Sequence, residues 1–182
     1  YAQGDTLTLI ENLVGSAYAD TLTGDATANL LSGGAGNDTL AGGAGADTLD
    51  GGAGTDTATY AASSTGVTVN LATNLNSGGD AAGDVLLNVE DLTGSSFADR
   101  LTGDSHANLL SGGAGNDTLA GGSGADTLDG GAGTDIADYS ASATAVTVSL
   151  AAGTGSGGDA AGDTLMSIEG VIGSAFADTL VA

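Results

Sequence analysis

Residues 33–56 read GGAGNDTLAGGAGADTLDGGAGTD. Glycine is dense, and an aspartate returns every nine residues, at Asp38, Asp47 and Asp56. Such a stretch is either a loose linker or a scaffold for something that sits between the aspartates. Working outward, the same beat starts at Gly15, Gly24, Gly33, Gly42 and Gly51, again at Gly94, Gly103, Gly112, Gly121 and Gly130, and once more at Gly173. Its form is G-G-x-G-x-D-x-U-x, with U a large apolar residue, and six of the eleven copies keep all its glycines and the aspartate.

A longer period encloses the short one. ENLVGSAYADTLTGD starts at Glu11, EDLTGSSFADRLTGD at Glu90 and EGVIGSAFADTLVA at Glu169, so the two steps between them are equal. We expect one continuous domain over 1–182 with super-repeats 11–89 and 90–168 and partial units 1–10 and 169–182. The nonapeptide arrays run over 15–59 and 94–138. Tyr1 stands where an initiator Met would, so the chain reads as a piece of a longer one.

Composition narrows the class. The 182 residues carry 23 acidic side chains against one basic one, Arg100, for a net charge of −22. That charge repels nucleic acid and anionic membranes, and a compact fold needs a counter-charge. Cysteine and proline are absent, which excludes disulfides, thiolate metal sites and collagen. With 41% hydrophobic residues the chain is too apolar for a solvated acidic linker. No apolar run is long enough to insert into a membrane.

The nine positions have a physical reading. The first six are small and suit a tight turn with positive φ. The last three, such as Thr39-Leu40-Ala41, read as a short strand whose middle residue faces inward. The inward row is Leu22, Leu31, Leu40, Leu49 and Ala58, then Leu101, Leu110, Leu119, Leu128 and Ala137. Two nonapeptides make one coil, and stacked coils make two parallel sheets with about 4.8 Å per strand. Asp20, Asp38 and Asp56 then stack in one column, with Asn29 and Asp47 in the opposite one. Stacked carboxylates repel unless a cation separates them. Carboxylates with turn carbonyls, and neither Cys nor His, make a hard oxygen site that suits calcium better than magnesium.

The pattern resembles the RTX family of calcium-binding repeats in bacterial secreted proteins. The resemblance implies an all-β chain, a right-handed parallel β-roll (β-solenoid) of two parallel sheets with calcium-binding turns. It also implies that each ion sits between turns one coil apart. One turn gives carbonyls from positions two and four and its Asp; the next gives carbonyls from positions one and three and its Asp. Carried over, Gly34, Gly36 and Asp38 face Gly51, Ala53 and Asp56, and Gly113, Gly115 and Asp117 face Gly130, Ala132 and Asp135. The same rule joins Ser16, Tyr18 and Asp20 to Gly33, Ala35 and Asp38, and Asp25, Thr27 and Asn29 to Gly42, Ala44 and Asp47. In the second unit it joins Ser95, Phe97 and Asp99 to Gly112, Ala114 and Asp117, and Asp104, His106 and Asn108 to Gly121, Ser123 and Asp126. GSAYAD and GDATAN depart from the pattern, with fewer glycines and with Asn29 and Asn108 for Asp. Those turns either bind an ion or are structural only.

Residues 57–93 break the beat. GVTVNLA at 66–72 and AVTVSLA at 145–151 alternate and read as longer strands. NSGGDAAGD and GSGGDAAGD read as polar turns. The roll is expected to continue through the segment with one bulging loop. Asp80 and Asp84, Asp159 and Asp163, with Glu90 and Glu169 nearby, are candidates for further calcium sites; the alternative is a solvated loop. Tyr60 and Tyr139 read as covers of the roll. About eleven divalent ions would neutralise the net charge.

No catalytic constellation is present. His106 is the lone histidine, Ser has no positioned base, no Lys follows the G-x-G matches as in a P-loop, and EF-hand spacing is absent. We therefore expect no enzyme. The expected role is a structural module of a secreted, extracellular or cell-surface bacterial protein: an adhesin, matrix fibre or S-layer component. Its partners would be Ca2+ and either a parent chain or end-to-end copies of itself. The alternative is a C-terminal accessory domain of a type I-secreted hydrolase or epimerase. An ice-binding solenoid would need a regular Thr ladder, which position nine does not keep.

Overall fold

The computed structural model describes residues 10–182; the expectations placed on residues 1–9 lie outside them. The first array yields β1 (Asn12–Val14), β2 (Thr21–Thr23), β3 (Leu30–Ala35), β4 (Thr39–Ala41), β5 (Thr48–Ala53) and β6 (Thr57–Thr59). The segment after it holds β7 (Thr68–Asn70) and β8 (Val85–Leu87). The second array gives β9 (Asp91–Thr93), β10 (Arg100–Thr102), β11 (Leu109–Ser111), β12 (Thr118–Ala120), β13 (Thr127–Asp129) and β14 (Ile136–Asp138). β15 (Thr147–Ser149), β16 (Thr154–Ser156), β17 (Thr164–Met166), β18 (Gly170–Ile172) and β19 (Thr179–Val181) follow. The only helical turns among the described residues are short 3-10 turns at Gly79–Ala81 and Gly158–Ala160.

The chain is all-β, and its strands stack in parallel as a β-roll. Successive array strands alternate between two faces, so each pairs with the next strand but one: Leu22 with Leu40, Leu31 with Leu49, Leu101 with Leu119. One face runs β1-β3-β5-β8 and, beyond a hairpin, β7-β10-β12-β14-β18. The other is the ten-stranded order β2-β4-β6-β9-β11-β13-β17-β16-β15-β19. The middle residue of each strand points between the faces. Leu31, Leu40, Leu49, Ala58, Leu92, Leu101, Leu110, Leu119, Leu128 and Ala137 are fully buried there. The core is one side chain deep on each side, so burial alone gives each coil little stabilisation.

The segment between arrays is not a longer-stranded continuation. After β6 the chain runs ahead to β7, which pairs with β10, then folds back to β8, which pairs with β5. Sequence order and spatial order therefore differ. In the second unit the returning limb is β16, antiparallel to both β15 and β17. In the first unit Thr68 and Ser77 make the same antiparallel bridge, and the Asn74 amide replaces backbone by hydrogen bonding to both N–H and C=O of Leu86. The alternating stretches predicted as longer strands yield only three strand residues each, because the hairpin turns straight back.

Equivalent strands of the two super-repeats lie on different faces. β1, β3, β5, β7 and β8 are on one face, and their counterparts β9, β11, β13, β15 and β17 are on the other. The unit contains an odd number of half-coils, so each repeat reverses the face that its equivalent residues occupy.

Candidate metal centre

The residue in position six precedes each strand and aims its side chain along the stack. The N–H of Asp20 donates to Oδ1 of Asp38 at 2.8 Å, that of Asp38 to Oδ1 of Asp56 at 2.7 Å, and that of Asp56 to Oε2 of Glu90 at 2.9 Å. Across the roll Asn29 donates to Asp47 at 2.8 Å and Asp47 to Asp84 at 2.9 Å. The second unit repeats both series, with Asp99, Asp117, Asp135 and Glu169 in one and Asn108, Asp126 and Asp163 in the other. These are charge-assisted bonds, and each occupies one oxygen of its carboxylate.

The second oxygen divides the turns into two kinds. Oδ2 of Asp38, Asp47, Asp56, Asp117, Asp126 and Asp135 is buried without any hydrogen-bond partner. These side chains are at most 1% exposed. Buried polar atoms are nearly always paired, and each orphan costs about 1–3 kcal/mol or more when charged. All six belong to the copies that begin Gly-Gly. Their second glycine has φ between 88° and 104°, at Gly34, Gly43, Gly52, Gly113, Gly122 and Gly131. In the other turns the second residue carries a side chain, and its N–H turns inward to the sixth residue. Ser16 so donates to Asp20, Asp25 to Asn29, Ser95 to Asp99 and Asp104 to Asn108. Gly34 could not be replaced to the same end, since a Cβ there would strike the Ser16 carbonyl.

The electrostatics agree with the orphan atoms. Burial pushes the Asp117 and Asp126 carboxyls up to about 6, with nearby acids adding to the rise. Burial also raises Asp47 and Asp56. A hard cation is the natural partner for such oxygens. Among the described residues no three acid or imidazole side chains converge to hold one unaided. A calcium ion, which takes six to eight oxygens, would draw on turn carbonyls for the balance.

The structure brings the predicted groups together by turns. β3 and β5 set Gly34 beside Gly52 and Ala35 beside Ala53, and Gly36 N–H donates to the Ala53 carbonyl at 2.9 Å. Gly113, Gly115 and Asp117 meet Gly130, Ala132 and Asp135 likewise, with Gly115 N–H on the Ala132 carbonyl at 2.9 Å. Gly33 with Ala35, Gly42 with Ala44, Gly112 with Ala114, and Gly121 with Ser123 lie in open turns, beside self-closed neighbours at Asp20, Asn29, Asp99 and Asn108. His106 Nδ1 lies 2.9 Å from Oδ2 of Asp104, where Thr27 bonds Asp25 in the first unit, so it closes a turn.

Two features were missed in the sequence. Residues 79–87, GDAAGDVLL, are a disguised nonapeptide: Asp84 takes position six and β8 the strand, in register with β5. GDAAGDTLM at 158–166 is its counterpart. The signal was the G-x4-D-x-L spacing after each hairpin. Tyr60 and Tyr139 do more than cover the roll. Both are buried, and their hydroxyls donate to Oδ2 of Asp84 at 3.0 Å and of Asp163 at 2.8 Å.

None of the curated proteins matches the chain. The sequence profile of the RTX calcium-binding nonapeptide repeat matches four times, at residues 8–40, 23–58, 89–119 and 102–137. Together these take in 8–58 and 89–137, more than half of the 182 residues. With its stacked parallel strands and its Asp-lined glycine turns, the chain belongs to the RTX calcium-binding nonapeptide repeat family and is a calcium-binding repeat module.

Proposed function

We propose that the chain is a calcium-stapled structural module of a secreted or cell-surface bacterial protein of the adhesin, matrix-fibre or S-layer kind, folding once exported into calcium. The observation that carries this reading is the set of six orphaned carboxylate oxygens, each in a Gly-Gly turn. Calcium would supply the positive charge that those oxygens and the net −22 call for. The turns at 33–38 and 51–56, and at 112–117 and 130–135, are the best equipped, because both halves of each pair carry an orphan. Gly34, Gly36, Asp38, Gly51, Ala53 and Asp56 are the proposed ligands in the first, and Gly113, Gly115, Asp117, Gly130, Ala132 and Asp135 in the second. The module reading over an enzyme accessory domain is favoured by the recurrence of the whole super-repeat, which builds length.

The test is circular dichroism of the purified chain in chelator and then in millimolar calcium. A disordered spectrum that gains β-signal cooperatively on adding calcium is expected, since the site and the fold form together. A chain that keeps its full β-signal in excess chelator would overturn the reading.

A further inference from the structure

Two of the position-six series stop at Asp84 and Asp163. The N–H of Asp84 turns back to the Ala81 carbonyl, and that of Asp163 to Ala160, both at 3.3 Å. Beyond each stop lies the hairpin, and the ladder restarts on its far side with Val67 N–H on Asp99 and Val146 N–H on Asp178. Asp84 and Asp163 are thus the last rungs of their columns. They are as buried as the array aspartates, each 2% exposed, yet neither has an orphaned oxygen. Oδ1 receives the N–H of the preceding rung, and Oδ2 receives a tyrosine hydroxyl.

The arrangement occurs twice, in units that share no strand. In both, the tyrosine directly follows the array, and its own N–H is tied to the next coil, Tyr60 to the Thr93 carbonyl and Tyr139 to that of Ile172. The phenol therefore arrives from a fixed backbone position. Burial, then the adjacent carboxylate, holds each phenol well above its usual ionisation range, so it stays a neutral donor.

We propose that Tyr60 and Tyr139 terminate the ion columns: each phenol holds the second oxygen of the last aspartate where, in the array, a cation is called for. The roll can then close against the hairpin without an ion at that rung. The inference rests on the calcium-binding reading above, and it moves Asp84 and Asp163 from the ligands expected of them to terminators.

The experiment counts bound calcium at saturation by equilibrium dialysis, for the whole chain and its variants. Tyr60→Phe and Tyr139→Phe each keep the ring and expose a buried oxygen. Each is expected to bind one further ion, and the double variant two. Asp84→Asn and Asp163→Asn should leave the wild-type count unaltered, whereas Asp47→Asn should lower it. An unchanged count in the double tyrosine variant overturns the proposal when its β-signal in calcium equals that of wild type. So does loss of an ion in Asp84→Asn. If the tyrosine variants fail to fold, the asparagine variants decide alone. Failure of the wild type to bind calcium at all would sink the parent reading instead.

Discussion

At the residue scale, the glycine in position two separates the turns. A positive φ there leaves the sixth-position oxygen free, whereas the N–H groups of Ser16, Asp25, Ser95 and Asp104 close their turns on it. Gly34→Ala must adopt a left-handed backbone costing about 1–3 kcal/mol and meet the Ser16 carbonyl as well. It should raise the calcium midpoint of folding by roughly tenfold or more, read by circular dichroism titration. The aspartates and glycines were legible in the sequence because the beat itself is chemical: small residues for turns, one acid per turn. What was not legible was which turns close on themselves, since that depends on where one N–H points. The tyrosine hydroxyls escaped for a similar reason. They meet Asp84 and Asp163 across the whole hairpin, a separation no local spacing encodes.

At the element scale, each strand contributes one side chain to the core, so no neighbour can make up for its loss. Leu119→Ala, in the middle of the second array, should cost about 2–5 kcal/mol, measured as a lower chelator or thermal midpoint in fixed calcium. Leu180→Ala, half exposed on β19, should cost much less. The array strands followed from the nonapeptide period. The run from β7 back to β8 did not, because alternation in GVTVNLA specifies a strand but not its partner. The partner is set by pairing with β10, which comes only after β8 and β9 in the chain. Arg100, the single basic residue, spans two strands to reach Asp138 at 3.0 Å. With the guanidinium half exposed, that pair adds little to stability.

At the scale of the whole molecule, charge governs the metal-free state. Asp117, Asp126 and Asp84 are held near 6 in the fold, above the value of about 3.9 expected when unfolded. Their protonation favours folding, so that contribution is complete below about pH 4 and is lost as pH rises through about 6. In chelator, acidifying from pH 7 to 5 should therefore restore part of the β-signal, followed by far-ultraviolet circular dichroism. A flat response would show that these acids are not buried together in the metal-free chain. With calcium present the same acidification should weaken binding, as protons compete for the same oxygens. The reversal of faces from one super-repeat to the next acts at this scale too. The hairpin of the first unit widens one face, and that of the second widens the other. Successive hairpins are set like leaves on alternate sides of a stem. Equivalent strands of neighbouring units thus look out on opposite sides, so each face carries in turn what the other carried one unit before.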